Sequence, residues 1–429
     1  MNVEVFKFGG ASVNSADGIR KVAQILDLFP GKSMMLILSA LGKTTNAMER
    51  MLHHYMEKDA VSMVEEYNQV KAYHLDIVHE LFGDKTHPVF TEIESHFEAL
   101  HRILRQDRVT GYDETYDRVV SFGEIFSTTI LYHYLVLEGL EIRLFDATSI
   151  LHTDNSFRDA RIDWKKTQLA IQKQLFTFFQ EKRGSIGLTQ GFIGRSPEGK
   201  PTTLGREGSD FTAAVIGYCM RVKKVTVWKD VPGVLNADPI WFDDPEKLDT
   251  LSFLEAIELA YYGAKIFHPK TIKPLENANI TLDVRSFHHP EEEGTLVKNM
   301  QEWKISTPIF IRKENQVLIS ISPRDFSFIV EENLSHIFTI LASLHVKANV
   351  TQNSAISFSI CVDNDPVKIK PLIRELQKTF EVRYNDGLEL YTIRHYTDEA
   401  VQRITSGRNI LLEQKSRNTI HFVLQHPPQ

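Results

Sequence analysis

Strands and helices alternate through most of the first 298 residues, and this alternation constrains the fold more than any other feature. The segment VEVFKF (residues 3–8) predicts a strand, and Gly9 and Gly10 end it. Residues 15–29 then repeat apolar positions at helical spacing, and residues 34–39 form a short apolar strand. Strands this apolar are typical of parallel sheets that are covered on both faces. We therefore expect a three-layer α/β/α sandwich with a mostly parallel sheet.

Later segments continue the pattern. Apolar spacing predicts helices at 46–82, 89–107, 118–138, 163–182, 209–220, 252–262 and 269–277, with strands at 141–147, 187–194, 224–228 and 280–286. The turn-rich GRSPEGKP segment between the strand at 187–194 and the helix at 209–220 predicts a hairpin tip. The predicted helices between residues 46 and 138 follow one another without a strand between them, so this segment adds no strand to the sheet.

The order of elements changes after about residue 300. Strand and helix patterns there read βαββαβ, which is typical of a ferredoxin-like α+β unit, and the same order then begins again. The second copy stops before a second helix and a final strand. We predict a catalytic domain over 1–300 and a second region over 315–429. That region holds one complete repeat at about 315–386 and a truncated repeat at about 387–429.

Composition and charge exclude several classes of function. A formal net charge of −7 over 429 residues argues against a general nucleic-acid-binding surface, so any anion site is local. The only cysteines, Cys219 and Cys361, lack metal or redox spacing and predict buried, reduced thiols. The adjacent pairs His53–His54 and His288–His289 point apart on a helix or strand, so we expect no metal site of protein ligands. No apolar run reaches membrane length, which predicts a cytoplasmic chain without a membrane partner.

Three glycine-containing loops follow predicted strands. The segments are KFGGAS (7–12), SALGKTTN (39–46) and TLGREGSD (203–210). Glycines at a strand end let backbone N–H groups approach a phosphate, and a following helix N-terminus adds positive potential. Each loop alone has a simpler interpretation: a turn for the first, a polar connection for the second, and a helix cap for the third, in which Ser209 is a suitable N-cap. Together they indicate one crevice, because such loops converge at the carboxyl edge of a parallel sheet.

Three further motifs are individually uninformative: SFGE (121–124), WKDVPGVLNADP (228–239) and GAKIFHP (263–269). Taken in order with the three loops, they resemble the motifs of the aspartate kinases of the amino-acid kinase family. The βαββαβ tail resembles the paired ACT regulatory domains that follow the kinase domain in that family. The resemblance therefore covers nearly the whole chain.

The resemblance implies an activity. Members of that family transfer the γ-phosphoryl group of ATP to the β-carboxylate of L-aspartate and produce 4-phospho-L-aspartate, the first step toward lysine, threonine and methionine. It implies ATP and Mg²⁺ as cofactors, a homodimer or higher homo-oligomer, and an amino-acid effector at the ACT region. It also assigns residues. The catalytic pair is Lys7 and Asp210, and the aspartate-binding residues are Thr45, Glu124, Arg206 and Ser209. The nucleotide-binding residues are Lys7, Phe8, Gly9, Gly10, Lys229, Asp230, Leu235 and Lys265.

Some positions depart from the family pattern. A threonine common at the third loop position of the first motif is Ala11 here, and the threonine common before Asp230 is Lys229. A tyrosine-like position is Leu235, and the arginine of the usual TDPR motif is Ile240. The loss of that arginine removes one expected phosphate or ribose contact. In the tail, Asn349 stands where relatives often have an aspartate, which removes the charge that would meet the ammonium group of an amino-acid effector such as lysine.

The sequence is compatible with two alternative functions. One is another kinase of the same fold, acting on glutamate, acetylglutamate or a nucleotide. The other is a catalytically silent amino-acid-sensing module, which requires a broken phosphate site. Lys7, Arg206 and Asp210 are all present, which argues against the silent module. The SFGE motif, the extended kinase domain and the ACT-like tail favour aspartate over the other acceptors.

Overall fold

The computed structural model describes residues 3–106, 111–264, 267–300, 307–325 and 327–425. The chain divides into two compact units. The first unit comprises Met1–Val234, Lys247–Ile257 and Ile266–Gln301, and the second comprises Leu235–Glu246, Glu258–Lys265 and Glu302–Gln429. The second unit thus takes two short segments from the stretch that the sequence assigned wholly to the catalytic domain.

Ten strands lie in the described part of the first unit. They are β1 (Val3–Phe8), β2 (Ser33–Leu38), β3 (Ile142–Phe145), β4 (Ile186–Gln190), β5 (Ile193–Arg195), β6 (Pro201–Thr203), β7 (Lys224–Lys229), β8 (Thr250–Ser252), β9 (Thr281–Ser286) and β10 (Thr295–Lys298). Eight of them form one sheet in the order β3-β4-β2-β1-β7-β9-β10-β8. The first six of these run parallel, whereas β10 lies antiparallel to β9. The predicted mostly parallel sheet is therefore confirmed.

Helices cover this sheet. They are α1 (Ala16–Asp27), α2 (Thr44–Met56), α3 (Ala60–Phe82), α4 (Pro88–Leu104), α5 (Tyr112–Val120), α6 (Phe122–Leu137), α7 (Ala147–Ile150), α8 (Trp164–Ile171), α9 (Thr177–Glu181), α10 (Gly208–Met220), α11 (Phe253–Tyr262) and α12 (Pro269–Asn277), with a π-helical stretch at Gln172–Phe176. The hairpin predicted from GRSPEGKP is the antiparallel pair β5–β6.

The side-chain alternation of β1 separates its two faces. Phe6 and Phe8 point into a core that also contains Trp228 and the inner faces of α1–α6. Alternate residues such as Lys7 face the opposite side, where α10 packs on β1. This alternation brings Lys7 next to the first turn of α10, and it is the structural origin of the site described below.

The run from Tyr112 to Leu137, which contains α5 and α6, is long and apolar enough to cross a membrane by composition alone. However, 78% of its most apolar window is buried inside the protein, as in a core helix. Both cysteines, Cys219 and Cys361, are buried and unpaired as predicted.

The second unit is an α+β structure. Its strands are β11 (Ile309–Pro323), β12 (Ala348–Asn353), β13 (Phe358–Asp363), β14 (Phe380–Arg394), β15 (Ile410–Lys415) and β16 (Thr419–Gln425), and its helices are α13 (Glu331–Ser343), α14 (Pro366–Leu376) and α15 (Asp398–Thr405). The strands form one sheet in the order β12-β13-β11-β14-β16-β15, and all neighbours are antiparallel.

Two long strands join the halves of this sheet. The segments predicted as separate strands at 382–384 and 388–396 are one strand, β14, and β11 begins eight residues before its predicted start at 317. Because β11 and β14 pair along their whole length, each contributes to both halves.

This pairing changes the description of the second repeat. The sequence placed its strands only after residue 387 and left its last strand missing. In the structure, Ile309–Lys313 of β11 pairs with Leu390–Arg394 of β14. This segment takes the place of the missing last strand at the edge of the second half, although it precedes the first repeat in sequence. The helix-free faces of the two halves meet in an apolar cluster that includes Val350, Leu390 and Leu412. Both halves are therefore four-stranded and ferredoxin-like in strand order.

Candidate active site

A crevice of about 900 Å³ opens at the carboxyl edge of the first unit's parallel sheet. The three glycine-containing loops meet there, as the sequence predicted. Ten of the predicted site residues line it: Lys7, Gly9, Gly10, Thr45, Glu124, Arg206, Ser209, Asp210, Lys229 and Asp230. The volume is in the range of small-molecule and cofactor sites.

A buried carboxylate lies between two lysines at the base of the crevice. The Nζ atom of Lys7 is 2.6 Å from Oδ1 of Asp210, and the Nζ atom of Lys229 is 3.7 Å from Oδ2. Burial alone would raise the pKa of Asp210, but the two lysines outweigh it and hold that pKa below its ordinary value. Asp210 is therefore ionised at neutral pH and fixes both ammonium groups.

The first two loops touch through their backbones. The N–H of Gly42 donates to the carbonyl of Gly10 at 2.9 Å. A Cβ atom at Gly10 would lie 2.4 Å from the carbonyl oxygen of Ala40, which is closer than real contacts permit. Glycine at position 10 is thus required by this approach and not only by the turn.

Glu124 enters the crevice from the first turn of α6. Its Oε1 accepts a hydrogen bond from the N–H of Ala40 at 3.2 Å, whereas no described residue is a partner of its Oε2. Burial raises the pKa of Glu124 to about 8, with the Ala40 N–H and Lys7 opposing the shift. A buried, half-satisfied carboxyl group is a ready partner for a cationic group of a ligand.

The loop before α10 differs from its prediction. The sequence proposed Ser209 as the N-cap, but α10 begins at Gly208 and the capping position is Glu207, in the left-handed conformation with φ 54°. Ser209 lies inside the first turn and is buried. Arg206 precedes this turn with an exposed side chain that lines the crevice.

Two of the predicted nucleotide-binding residues that the structure describes do not line the crevice. Phe8 is fully buried, and its ring stacks on Trp228 with centroids 6.2 Å apart. Leu235 belongs to the second unit. Lys265 lies outside the described residues. The side chain of Phe8 therefore supports the core, and only its backbone is near the first loop.

The sequence missed another group of lining residues: Glu49, Asp113, Tyr116, Arg158 and Asp159. Tyr116 donates from its hydroxyl to Oε1 of Glu49 at 2.6 Å, which ties α5 to α2. Neither residue belongs to a glycine motif. No local pattern in the sequence marks either residue as part of a site, because they come from separate helices.

Comparison with known proteins agrees with this geometry. A model of the amino acid kinase family matches residues 2–286, so the chain belongs to that family. Within the family it is similar to aspartokinases. It is 33% identical to aspartokinase 2, chloroplastic, of Arabidopsis thaliana over 85% of this chain and 66% of that protein, and 31% identical to aspartokinase 3, chloroplastic, over 88% and 67%. The chain thus spans about two thirds of the length of these relatives.

Solved structures show the same fold. Aspartokinase III of E. coli, solved with lysine and aspartate and also with aspartate and ADP, superposes with a TM-score of 0.82 at 25% identity. The match covers 99% of this chain and 96% of that one. The predicted combination of an amino-acid kinase sandwich with an ACT-like α+β region is confirmed.

Proposed function

We propose that this chain is an aspartate kinase that transfers the γ-phosphoryl group of ATP to the β-carboxylate of L-aspartate. The observation that carries the proposal is the Lys7–Asp210–Lys229 array at the meeting point of three glycine-containing loops. The acceptor carboxylate is ionised at pH 7, so no base is needed to generate the nucleophile. The chemical problem is to bring anions together and to stabilise an in-line transition state.

The array suits that task. Lys7, with the N–H groups of Gly9 and Gly10, is proposed to hold the γ-phosphoryl group during transfer. Asp210 is buried and paired with both lysines, so its role is to orient them and not to accept a proton. Fixed charges in a partly dry site stabilise developing charge without reorganisation.

The substrate side is proposed to bind both ends of aspartate. Arg206 has an exposed guanidinium whose planar fork suits a carboxylate. Glu124 would receive the α-ammonium group on its Oε2. Thr45 and Ser209 would supply neutral hydrogen bonds from α2 and α10.

The nucleotide side is proposed to use Lys229 and Asp230, with Leu235 and Lys265 assigned from the family resemblance. Asp230 presents an exposed carboxylate at the end of β7, whereas both oxygens of Asp210 face lysines. This fits a Mg²⁺ ion that would be bound through the ATP phosphates rather than by a set of protein ligands, with the carboxylate of Asp230 on the nucleotide side. Bound Mg²⁺ would neutralise phosphate charge. Lys229 stands where relatives have a neutral residue and is proposed to replace the cation lost at Ile240.

Residues 315–429 are proposed to be an ACT-like regulatory and dimerising region, with residues 1–300 as the catalytic domain. The E. coli structure with lysine supports an amino-acid effector. In this chain, however, the side chain of Asn349 already makes hydrogen bonds within the protein. Its amide donates to Gln316 and Asp363 at 2.8 Å, and its oxygen accepts from Lys313 at 2.9 Å. Initial rates with added lysine, threonine and methionine test this part. A cytoplasmic location also remains a proposal, because the Arabidopsis relatives are named chloroplastic.

The activity is tested by ADP release with Mg-ATP and a panel of aspartate, glutamate and acetylglutamate. Turnover that depends on aspartate supports the proposal. Turnover only with glutamate or acetylglutamate would assign another amino-acid kinase, and no turnover with any acceptor would reject kinase activity toward them.

Arg206→Ala is expected to raise the KM for aspartate about tenfold or more, since a charge-assisted hydrogen bond is lost from substrate binding. The kcat should change little if the contact is equal in the ground and transition states. Arg206→Lys is the matched variant, because it keeps the charge and loses the fork. An unchanged KM in both variants contradicts the assigned contact.

Glu124 predicts a pH dependence of substrate binding. With its pKa raised from an ordinary value of 4.5 to about 8, the free enzyme holds the proton at pH 7, whereas an ammonium ligand requires the carboxylate. The KM for aspartate should therefore fall as pH rises toward about 8, and Glu124→Gln should abolish this slope. The same shift lowers the free energy of unfolding as pH rises from 4.5 to about 8, because only the unfolded chain releases the proton there. A flat KM profile in the parent would refute the assignment.

A further inference from the structure

Arg158 occupies a conformation that a non-glycine residue rarely adopts. Its φ of 66° lies in the left-handed region, which glycine adopts easily and a residue with a side chain adopts at a cost in energy. Such strain persists where the surroundings fix the backbone, and it is frequent at ligand-binding sites. Arg158 also lines the crevice, so the strained residue and the proposed site coincide.

A buried carboxylate holds this backbone in place. Both oxygens of Asp117 accept from the N–H of Arg158 at 3.1 Å. The same carboxylate accepts from the N–H of Thr203 at 2.9 Å and from its hydroxyl at 2.6 Å. Asp117 is completely buried, so its hydrogen bonds with the two segments are shielded from water. Asp117 thus ties the Arg158 loop to β6, which ends two residues before Gly205.

The backbone of Arg158 lies against the loop that carries Arg206. A Cβ atom at Gly205 would be 3.2 Å from the carbonyl oxygen of Arg158. In addition, the N–H of Ala160 donates to the carbonyl of Thr203 at 2.9 Å. These contacts place the backbone of Arg158 against the loop that carries Arg206, which is the proposed substrate side of the crevice.

The guanidinium group is also restrained. Its Cζ lies 4.7 Å from the ring centroid of Tyr116 and 5.3 Å from that of Tyr112. One nitrogen is 3.2 Å from Oδ1 of Asp113, whose side chain is 61% exposed. An arginine has five N–H donors, so this single contact leaves several for a ligand. Stacked, half-exposed arginines lose little freedom when they bind a carboxylate.

We propose that Arg158 is a second arginine for the amino-acid substrate, binding one of its carboxylates beside Arg206, and that Asp117 is the residue that positions it. The inference rests on the proposed function, because it takes the substrate to be a dicarboxylic amino acid. Two arginines would explain how a chain with a net charge of −7 selects an acceptor that carries two carboxylates.

The test compares Arg158→Ala, Arg158→Gly and Arg161→Ala. Glycine accepts the left-handed backbone without a guanidinium, so it separates strain from charge. Arg161 is an exposed arginine of the same segment and is the matched control. Both Arg158 variants are expected to raise the KM for aspartate about tenfold, with kcat within about threefold and the KM for ATP unchanged. Arg161→Ala should behave like the parent.

Asp117 is tested by Asp117→Asn, with Thr203→Val as a milder variant that keeps the carboxylate on Arg158. A positioning role predicts a raised KM for aspartate in Asp117→Asn and little change in Thr203→Val, with thermal unfolding measured for both. A purely structural role predicts a lower melting temperature without a selective change in the KM for aspartate.

Three results would overturn the inference. One is a KM for aspartate within about twofold of the parent in both Arg158 variants, which would leave the proposed function intact. Another is a raised KM for ATP instead. The last comes from calorimetric titration with aspartate, which measures binding without turnover. We expect Arg158→Gly to bind aspartate about tenfold more weakly than the parent does. A parent that binds no aspartate would reject this inference and the proposed function together.

Discussion

Lys7→Ala is expected to lower kcat about 10³-fold, because it removes the cation proposed to contact the γ-phosphoryl group in the transition state. The KM for aspartate should change little, since Lys7 is not assigned to aspartate binding. Steady-state ADP release at saturating substrates measures the effect. Lys7→Arg should retain part of the activity, because it keeps a charge near Asp210.

The stability of Lys7→Ala must be measured alongside its rate. Removal of one partner from the buried Lys7–Asp210 pair costs about 3–5 kcal/mol in comparable cases, although Lys229 remains 3.7 Å from the carboxylate here. Lys32→Ala, an exposed lysine between α1 and β2, is the control. If a folded Lys7→Ala protein kept kcat within about twofold of the parent, the role assigned to the first loop would be wrong.

Asp210→Asn is expected to lower kcat by about 10² or more, because two neighbouring lysines lose the carboxylate that orients them. An orienting role makes a second prediction. Since the lysines hold the pKa of Asp210 below its ordinary value, the parent rate should show no loss near neutral pH that depends on this group. Raising the pH should not rescue Asp210→Asn.

A proton-accepting role would give a different pattern. The pH–rate profile of the parent would then contain an acidic limb that disappears in Asp210→Asn. Asp76→Asn, at an exposed position on α3, controls for the loss of one carboxylate elsewhere. A kcat within about twofold of the parent in folded Asp210→Asn would contradict both roles.

The sequence predicted those parts of the site that follow from local pattern and sheet geometry. Loops after parallel strands converge at one edge, so Gly9 and Thr45 could be grouped without coordinates. The loop that leads to Asp210 instead follows β6 of the antiparallel hairpin, so this rule does not account for its place in the crevice, which only the structure shows. Strand alternation explains why Lys7 faces α10 while Phe8 is buried in the core. Phe8 was predicted as a nucleotide-binding residue because it belongs to the KFGGAS motif. A motif does not indicate which of its side chains point into the hydrophobic core.

The parts that could not be predicted depend on distant pairing. Arg158 enters the crevice because Asp117, 41 residues earlier, holds its backbone N–H. No periodicity marks such a contact. The second repeat likewise gains an edge strand from Ile309–Lys313, which precedes the first repeat, because β11 and β14 pair along their full length. Ser209 was expected as the N-cap of α10 because serine is favoured at that position. The preceding turn instead places Glu207 at the N-cap.

The most direct test of the proposed activity is to trap the product. Phosphorylation of a carboxylate gives an acyl phosphate, which hydroxylamine converts to a hydroxamate with release of phosphate. Incubation with Mg-ATP, L-aspartate and hydroxylamine should yield the β-hydroxamate of aspartate in equal amount to ADP, and neither should form without aspartate. ADP formation without a hydroxamate, or a hydroxamate that forms from glutamate as readily as from aspartate, would contradict the assignment.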